Sequence, residues 1–263
     1  MSTRHSFAIM AYKDAPYLDE AVASVLKGAS ASEVYMTTST PSERISSIAA
    51  ANNIPLHINT GKAGIVGDWQ FALAQARTPY VTLVDQDDRY DPSYAREVIA
   101  AFDRFPDSQI VFTNYVEIDD QGGVRAANAT MRAKRVLLWP FLIRRSLRSR
   151  FARRLILRLG NPVCSPAVTY NIPQLGGVQL FNEDYAMSLD WEAWLSMADK
   201  PGRFTYLRTP LEQHRIHSAT QTSTGLRDGR RYAEDLKLFQ RLWPTPIARL
   251  LADRYAASYR TNS

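Results

Sequence analysis

The chain predicts an α/β fold: a mixed sheet flanked by helices, with a basic helical insertion and a helical C-terminal tail. Three observations carry this. From Phe7 onward, strand and helix signals alternate in the rhythm of βα units. One strand, Tyr80-Val81-Thr82-Leu83-Val84, has no polar face, as expected of a strand covered on both sides of a parallel sheet. That strand ends in Asp85-Gln86-Asp87-Asp88, and ligands of such sheets bind just beyond the carboxyl ends of the strands.

The elements follow in order. Phe7 to Ala11 reads as a strand, and Asp14 is the expected cap of a helix with the apolar stripe Leu18, Val22, Val25 and Leu26, closed by Gly28. Glu33 to Thr38 is the next strand. Thr40-Pro41-Ser42-Glu43 then reads as a capping box with proline at the first helical position, opening a helix through Ile45, Ile48 and Ala49 to Asn52-Asn53. Leu56 to Asn59 is a third strand, and Asp68 is the expected cap of the helix carrying Trp69, Ala72, Leu73 and Ala76. After the acidic-ended strand, Asp91-Pro92 starts a helix with Ala95, Val98, Ile99 and Phe102, and Gln109 to Val116 is a strand closed by a turn at Asp120-Gln121-Gly122-Gly123.

There the alternation stops and a basic segment takes over. Order returns near Asn161-Pro162, with a helix from about Leu189 to Ala198, a strand at Phe204 to Arg208, a polar loop through Thr224 and an amphipathic helical tail from about Gly229. The expected organisation is one α/β domain over 1–225, with the basic insertion at about 125–160, and a C-terminal helical extension over 226–263.

At 263 residues and 45% hydrophobic content, the chain can bury a full core. Its single cysteine, Cys164, excludes an internal disulfide framework and any thiolate zinc site. The longest apolar run, Val136 to Ile143, is too short to span a bilayer, and no apolar signal core precedes the first strand, so the expected location is cytoplasmic. The net charge of +6 is concentrated: no Asp or Glu occurs between Asp120 and Glu183. That gap holds Arg125, Arg132, Lys134, Arg135, Arg144, Arg145, Arg148, Arg150, Arg153, Arg154 and Arg158, interleaved with Leu137, Leu138, Trp139, Phe141, Leu142 and Ile143. Such a segment suits an anionic membrane surface, a nucleic-acid face, or arginines covering a hydrophobic seam.

Several short motifs carry chemistry. Three carboxylates within four positions repel one another unless a cation is shared between them, and hard oxygen ligands suit Mg²⁺ or Mn²⁺ carrying a phosphate. Gly61-Lys62-Ala63-Gly64-Ile65-Val66-Gly67 lacks the Gly-Lys-Ser/Thr ending of a phosphate loop, so its glycines suit a close backbone approach to a ligand, with Lys62 as a charge partner. Asp190 and Trp194 lie four apart on one face at the start of an apolar helix; Asp190 is a first-turn acid favourable to the helix dipole or a catalytic one. His214-Arg215-Ile216-His217 precedes Ser218, Thr220, Gln221, Thr222 and Ser223, hydroxyls and amides suited to phosphate oxygens; two histidines three apart can bind metal or be structural.

Taken in order, these residues resemble the family 2 glycosyltransferases of the GT-A fold, a Rossmann-like sheet. The resemblance spans approximately Phe7 to Ser223. It rests on Met10-Ala11-Tyr12-Lys13 with Ser24-Val25-Leu26, on Leu83-Val84-Asp85-Gln86-Asp87-Asp88 with Pro92, on Leu189-Asp190-Trp191-Glu192-Ala193-Trp194, and on Arg215-Ile216-His217. It implies an inverting, metal-dependent transfer from a nucleoside-diphosphate sugar. Asp85-x-Asp87 matches the Asp-x-Asp element, with Asp87 a metal ligand and Asp85 nearer the ribose or diphosphate. Asp190 matches the catalytic base, Tyr12 the ring packed on the nucleobase, and His217 a histidine near metal and diphosphate, with Arg215 on the donor side. Where Asp-Asp-x-Ser commonly ends the second strand, this chain has Thr37-Thr38-Ser39-Thr40, which leaves the Thr38 hydroxyl as the base contact, and uridine follows from family habit.

The implied partners are a UDP-sugar, a glycan or polyprenyl-diphosphate-linked glycan acceptor of surface polysaccharide synthesis, and an anionic membrane surface met peripherally; nucleic acid is not expected. Two other classes compete. A non-catalytic basic binding module accounts for the arginines and leaves the ordered acids unexplained. A sugar nucleotidyltransferase calls for a Gly-rich loop with Arg and Lys after the first strand, where Tyr12-Lys13-Asp14-Ala15-Pro16 stands.

Overall fold

The computed structural model describes residues 3–62, 64–217 and 229–260. In chain order the elements are β1 (His5–Met10), α1 (Leu18–Gly28), β2 (Ser32–Thr38), α2 (Glu43–Ala51), β3 (Leu56–Ile58), α3 (Ile65–Ala74), β4 (Tyr80–Asp85), β5 (Arg89–Tyr90), α4 (Tyr94–Arg104) and β6 (Ser108–Ile118). Then come α5 (Ala129–Leu137), α6 (Pro140–Ile143), β7 (Ser146–Leu147), α7 (Arg150–Leu157), β8 (Val168–Asn171), α8 (Ile172–Leu175), α9 (Leu189–Asp199), β9 (Arg203–Arg215), α10 (Arg230–Gln240) and α11 (Thr245–Arg260).

The strands form one mixed sheet in the order β3-β2-β1-β4-β8-β6-β9-β5, with β7 on β9. The β3-β2-β1-β4 half is parallel. Met10 is level with Thr37 on one side and Asp85 on the other, so three strands release their chains at one edge. The second half is mixed: β8 runs antiparallel to β4 and β6, and β9 runs parallel to β6.

Side chains alternate across the sheet as the two-residue strand period requires. Phe7, Ile9 and Val84 face a core layer that takes Leu18, Val22 and Val25 of α1, Ile45 and Ile48 of α2, and Val98 and Phe102 of α4. Ala8, Val81 and Leu83 face the larger layer, with Leu73 of α3, Trp191 and Trp194 of α9, Leu238 and Phe239 of α10, and Ala248 and Ala252 of α11. The C-terminal helices therefore share the main core; the boundary expected at 225/226 lies outside the described residues, as do Ser218, Thr220, Gln221, Thr222 and Ser223.

The structure corrects several local expectations. Tyr17, not Asp14, precedes α1, and Asp14 instead accepts a hydrogen bond from the Ser42 hydroxyl (2.7 Å). Ser42 is the cap of α2, accepting from the Ile45 N–H, and Pro41 stands before the cap rather than inside the helix. Helix α3 starts at Ile65 behind Gly64, whose φ of 114° suits glycine, and Asp68 lies within its first turn. A Cβ on Gly67 would lie 2.0 Å from the Lys62 carbonyl oxygen, so this glycine serves the approach of helix to loop, not of backbone to ligand. Strand β8 is an element the sequence does not signal, and β9 runs to Arg215, well past Arg208.

The basic segment divides in two. On α7, buried Arg153 donates to Gln109 Oε1 (2.5 Å) and to the carbonyls of Met197 and Lys200, while Arg150 and Arg154 pair with Asp199. These arginines bind the C-terminal end of α9, where cations also favour the helix dipole. The α5–α6 half is exposed.

Candidate active site

The site begins at the edge where β1, β2 and β4 end. Asp85 closes β4, and Gln86 accepts the Tyr12 backbone N–H through its side-chain oxygen (2.7 Å), binding the β4 turn to the segment after β1. The Tyr12 ring is about half exposed and open to stacking. Thr38 is buried at the end of β2, and its hydroxyl accepts from the Thr40 N–H (3.0 Å). Asp68 ties the ends of β2 and β3 to α3, accepting from Ser39 Oγ (2.9 Å) and Asn59 Nδ2 (2.8 Å). Lys62 is exposed and paired with Glu183, from the loop that precedes α9.

The end of β9 meets the β4 turn. Asp88 is fully buried; it accepts the Arg215 N–H (2.7 Å) and lies 3.2 Å from His214 Nδ1. It thus binds β9 to the β4 turn. Two residues past β9, His217 Nε2 is 2.9 Å from Asp87 Oδ2, which brings two residues expected at the metal into contact. The two histidines, His214 and His217, thus serve different carboxylates.

Arg215 is spent inside the protein. Its guanidinium donates to the carbonyls of Asp87 (2.9 Å), Asp119 (2.9 Å) and Asp120 (3.1 Å), pairs with Glu20, and lies 4.2 Å from the Tyr17 ring centroid. Rather than contacting a donor, it fixes the backbone from which Asp87 projects.

Behind these residues lies a buried glutamate that the sequence reading does not single out. Glu212 shares a strand face with His214, two residues on, and neither of its carboxylate oxygens has a hydrogen-bond partner among the described residues. Ligand atoms of Asp88, Glu212 and His214 lie within 4.8 Å of one another. Burial and mutual repulsion push Asp85, Asp88 and Glu212 above the usual carboxylate range. Burial alone would lower His214, but Asp88, Glu212 and Asp87 together outweigh it and the imidazole is pushed up to about 10. An excess of buried acid at this edge is what a divalent cation relieves, and the carboxylate oxygens of Asp85 and Asp87, with His217 against Asp87, suit Mn²⁺ or Mg²⁺.

Asp190 stands apart from this cluster, in the first turn of α9. Its Oδ2 accepts from Asn161 Nδ2 (2.7 Å) and its Oδ1 from the Trp191 N–H (2.7 Å). Burial raises its proton affinity, against the opposing charge of Arg231. Buried Tyr170 of β8 is held above its ordinary value, by burial first and then by the charges of Asp190 and, more weakly, Asp85. The segment leading into α9 is held by Glu234 of α10, which accepts the N–H groups of Ala186 (3.0 Å), Met187 (2.8 Å) and Ser188 (2.8 Å).

A parallel half-sheet releasing acids at its edge, joined to a mixed half that returns a histidine to them, defines a GT-A type nucleotide-sugar transferase fold. The sequence profile of glycosyl transferase family 2 matches residues 6–170, and the chain belongs to that family. Among solved structures, S. aureus TarS 1-349 in complex with UDP-GlcNAc superposes with a TM-score of 0.65 at 16% identity, covering 89% of this chain and 65% of that one. The same fragment in complex with UDP gives 0.62 at 14% identity, covering 95% and 69%, and S. aureus TarS itself gives 0.59 at 16%, covering 89% and 39%. This chain spans under two thirds of the first of these and much less of TarS. No curated protein matches it in sequence.

Proposed function

We propose that the chain transfers a sugar, with inversion, from a nucleoside-diphosphate sugar of the UDP type to a hydroxyl of a glycan or polyprenyl-diphosphate-linked glycan, in surface polysaccharide synthesis and peripherally at a membrane. The observation that carries this is the separation of two kinds of acid. Asp87 lies against His217 at the sheet edge, while Asp190, held by Asn161 in the first turn of α9, has a raised proton affinity. The UDP-GlcNAc and UDP complexes of TarS, a protein of the same fold, support the choice of donor.

The reaction divides between these groups. Asp87 and His217, with Asp85 beside them, would hold Mn²⁺ or Mg²⁺, which when bound neutralises charge on the diphosphate oxygens. The Tyr12 ring packs on the base, with the Thr38 hydroxyl beneath it, and Lys62 supplies positive charge at the mouth. Asp190 takes the proton of the acceptor hydroxyl as its oxygen bonds to the anomeric carbon and the bond from that carbon to the diphosphate breaks. A positioned base of this kind contributes about 10²–10⁴-fold. Arg215 and Asp88 act from behind by fixing the backbone of the β4 turn.

A thermal-shift screen of nucleotide sugars with Mn²⁺ or with chelator tests the reading. Stabilisation by UDP-sugars that chelator abolishes is the expected result. Stabilisation by no nucleotide sugar, with or without Mn²⁺, would refute it.

A further inference from the structure

The exposed half of the basic segment has a construction that sugar transfer does not require. Over α5 and α6, Met131, Leu138 and Phe141 turn inward, whereas Val136 (67% exposed), Trp139 (49%), Leu142 (68%) and Ile143 (75%) face solvent. Arg132, Arg135, Arg144 and Arg145 flank them, all exposed and without an ion pair among the described residues. The apolar tip is held in place from beneath, because Arg208 of β9 donates to the carbonyl of Phe141 (Nη2, 2.6 Å) and to that of Leu142 (2.6 Å). A fixed cluster of large apolar side chains within a ring of unpaired arginines matches a surface that is anionic outside and apolar within.

The face also lies close to the base. Lys134 of α5 donates to the Tyr115 hydroxyl (3.2 Å), and its charge reaches Asp190. Met131, Lys134 and Leu138 share a small cavity with Pro162, the residue after the Asn161 that holds Asp190. We propose that the α5–α6 face docks on an anionic lipid bilayer and thereby presents a lipid-linked acceptor to Asp190. This rests on the sugar-transfer reading for its second half alone. Each arginine near such a surface strengthens partition about fivefold, and the apolar tip adds burial below the headgroups.

The test is co-sedimentation of the full chain with vesicles of phosphatidylcholine alone and of equimolar phosphatidylcholine and phosphatidylglycerol. We expect strong preference for the anionic vesicles, weakened by salt. The double variant Arg144→Glu/Arg145→Glu should lose more than about tenfold of that binding. Trp139→Ser/Leu142→Ser should lose it with the charge intact, and neither should change thermal stabilisation by UDP with Mn²⁺, since all four residues are exposed. Equal sedimentation with both vesicles, or full binding by either double variant, would overturn the proposal. So would binding to tRNA of equal strength lost in the same variants, which would make the face a general polyanion surface. Vesicle binding without any stabilisation by UDP and Mn²⁺ would refute sugar transfer and leave the docking face supported.

Discussion

His217 Nε2 and Asp87 Oδ2 are 2.9 Å apart although 130 positions separate them. The contact is imposed by the backbone. Asp88 holds the Arg215 N–H, Arg215 holds the Asp87 carbonyl, and Asp87 and His217, two residues beyond Arg215, are thereby brought face to face. Metal and diphosphate would meet a pair already in place, which avoids the cost of ordering it on binding.

Asp87→Asn keeps the shape of the side chain but removes its charge. Metal-dependent donor binding should fall about 10²-fold, while stability without ligand stays close to that of the wild type. Titration of UDP in the presence of Mn²⁺, followed by calorimetry, checks this; unchanged affinity would remove Asp87 from the metal site. His217→Gln should show the same loss in smaller degree.

Asp190→Asn should retain that affinity and lose about 10²–10⁴-fold in transfer. The pH profile supplies a finer check. Since burial raises Asp190 above the usual carboxylate range, activity should fall as pH drops through that raised value, where the base becomes protonated. The Asn161 hydrogen bond works in the opposite sense, so Asn161→Ala should move the acidic limb to higher pH. A limb that stays put would show that another group is being titrated.

The edge of β4 was legible because two signals coincide there: a run without a polar face, and acids where such strands end. Asp190 and His217 are proposed from residue types in the order of a family, and Arg215 shows the limit of such a pattern. A pattern gives no direction, and this side chain points back into the protein. Strand β8 escaped because Val168 to Asn171 alternates apolar and polar residues over only four positions, between Pro166 and Pro173, too short a run to stand out from a loop. Glu212 carried a faint signal, an acid two residues from His214 and hence on the same strand face, but its burial depends on β5 and β6 pairing on either side. The basic gap looked uniform because composition does not reveal that Asp199 and the end of α9 consume its second half.

Arg215→Met should destabilise the fold by about 2–4 kcal/mol, since three carbonyls lose their donor and partly exposed Glu20 keeps only Arg89 of its two arginine partners. Urea denaturation measures it. A change under about 0.5 kcal/mol would mean that water replaces the guanidinium.

His5 gives a prediction independent of the site. It is fully buried between the Ser32 and Thr82 hydroxyls, and burial lowers its pKa from 6.5 to about 3. The unfolded chain therefore binds a proton that the folded one refuses. Stability should decline as pH falls below about 6.5, by up to about 1.4 kcal/mol per unit from this residue, until the folded state is protonated too near pH 3. His5→Gln should flatten that slope in urea denaturation curves taken from pH 7 to pH 4. An unchanged slope would assign the acid sensitivity to other groups.

Glu234 tests whether the C-terminal helices belong to the catalytic unit. Its carboxylate receives three successive N–H groups leading into α9, and its neighbour Asp235 accepts the Ser188 hydroxyl (2.6 Å). Ser188 itself makes no side-chain cap, so the first turn of α9, which carries Asp190, takes its anchor from α10. Glu234→Ala leaves those donors without their acceptor at a cost of about 1.5–3 kcal/mol, concentrated on one turn. The expected consequence is a fall in kcat of about tenfold or more with UDP affinity unchanged, because a displaced base weakens the transition state and not the donor complex. Glu234→Gln, which keeps an acceptor oxygen, should recover part of the rate. A loss of UDP affinity equal to the loss of kcat would instead mean that α10 supports the whole domain and not the base in particular.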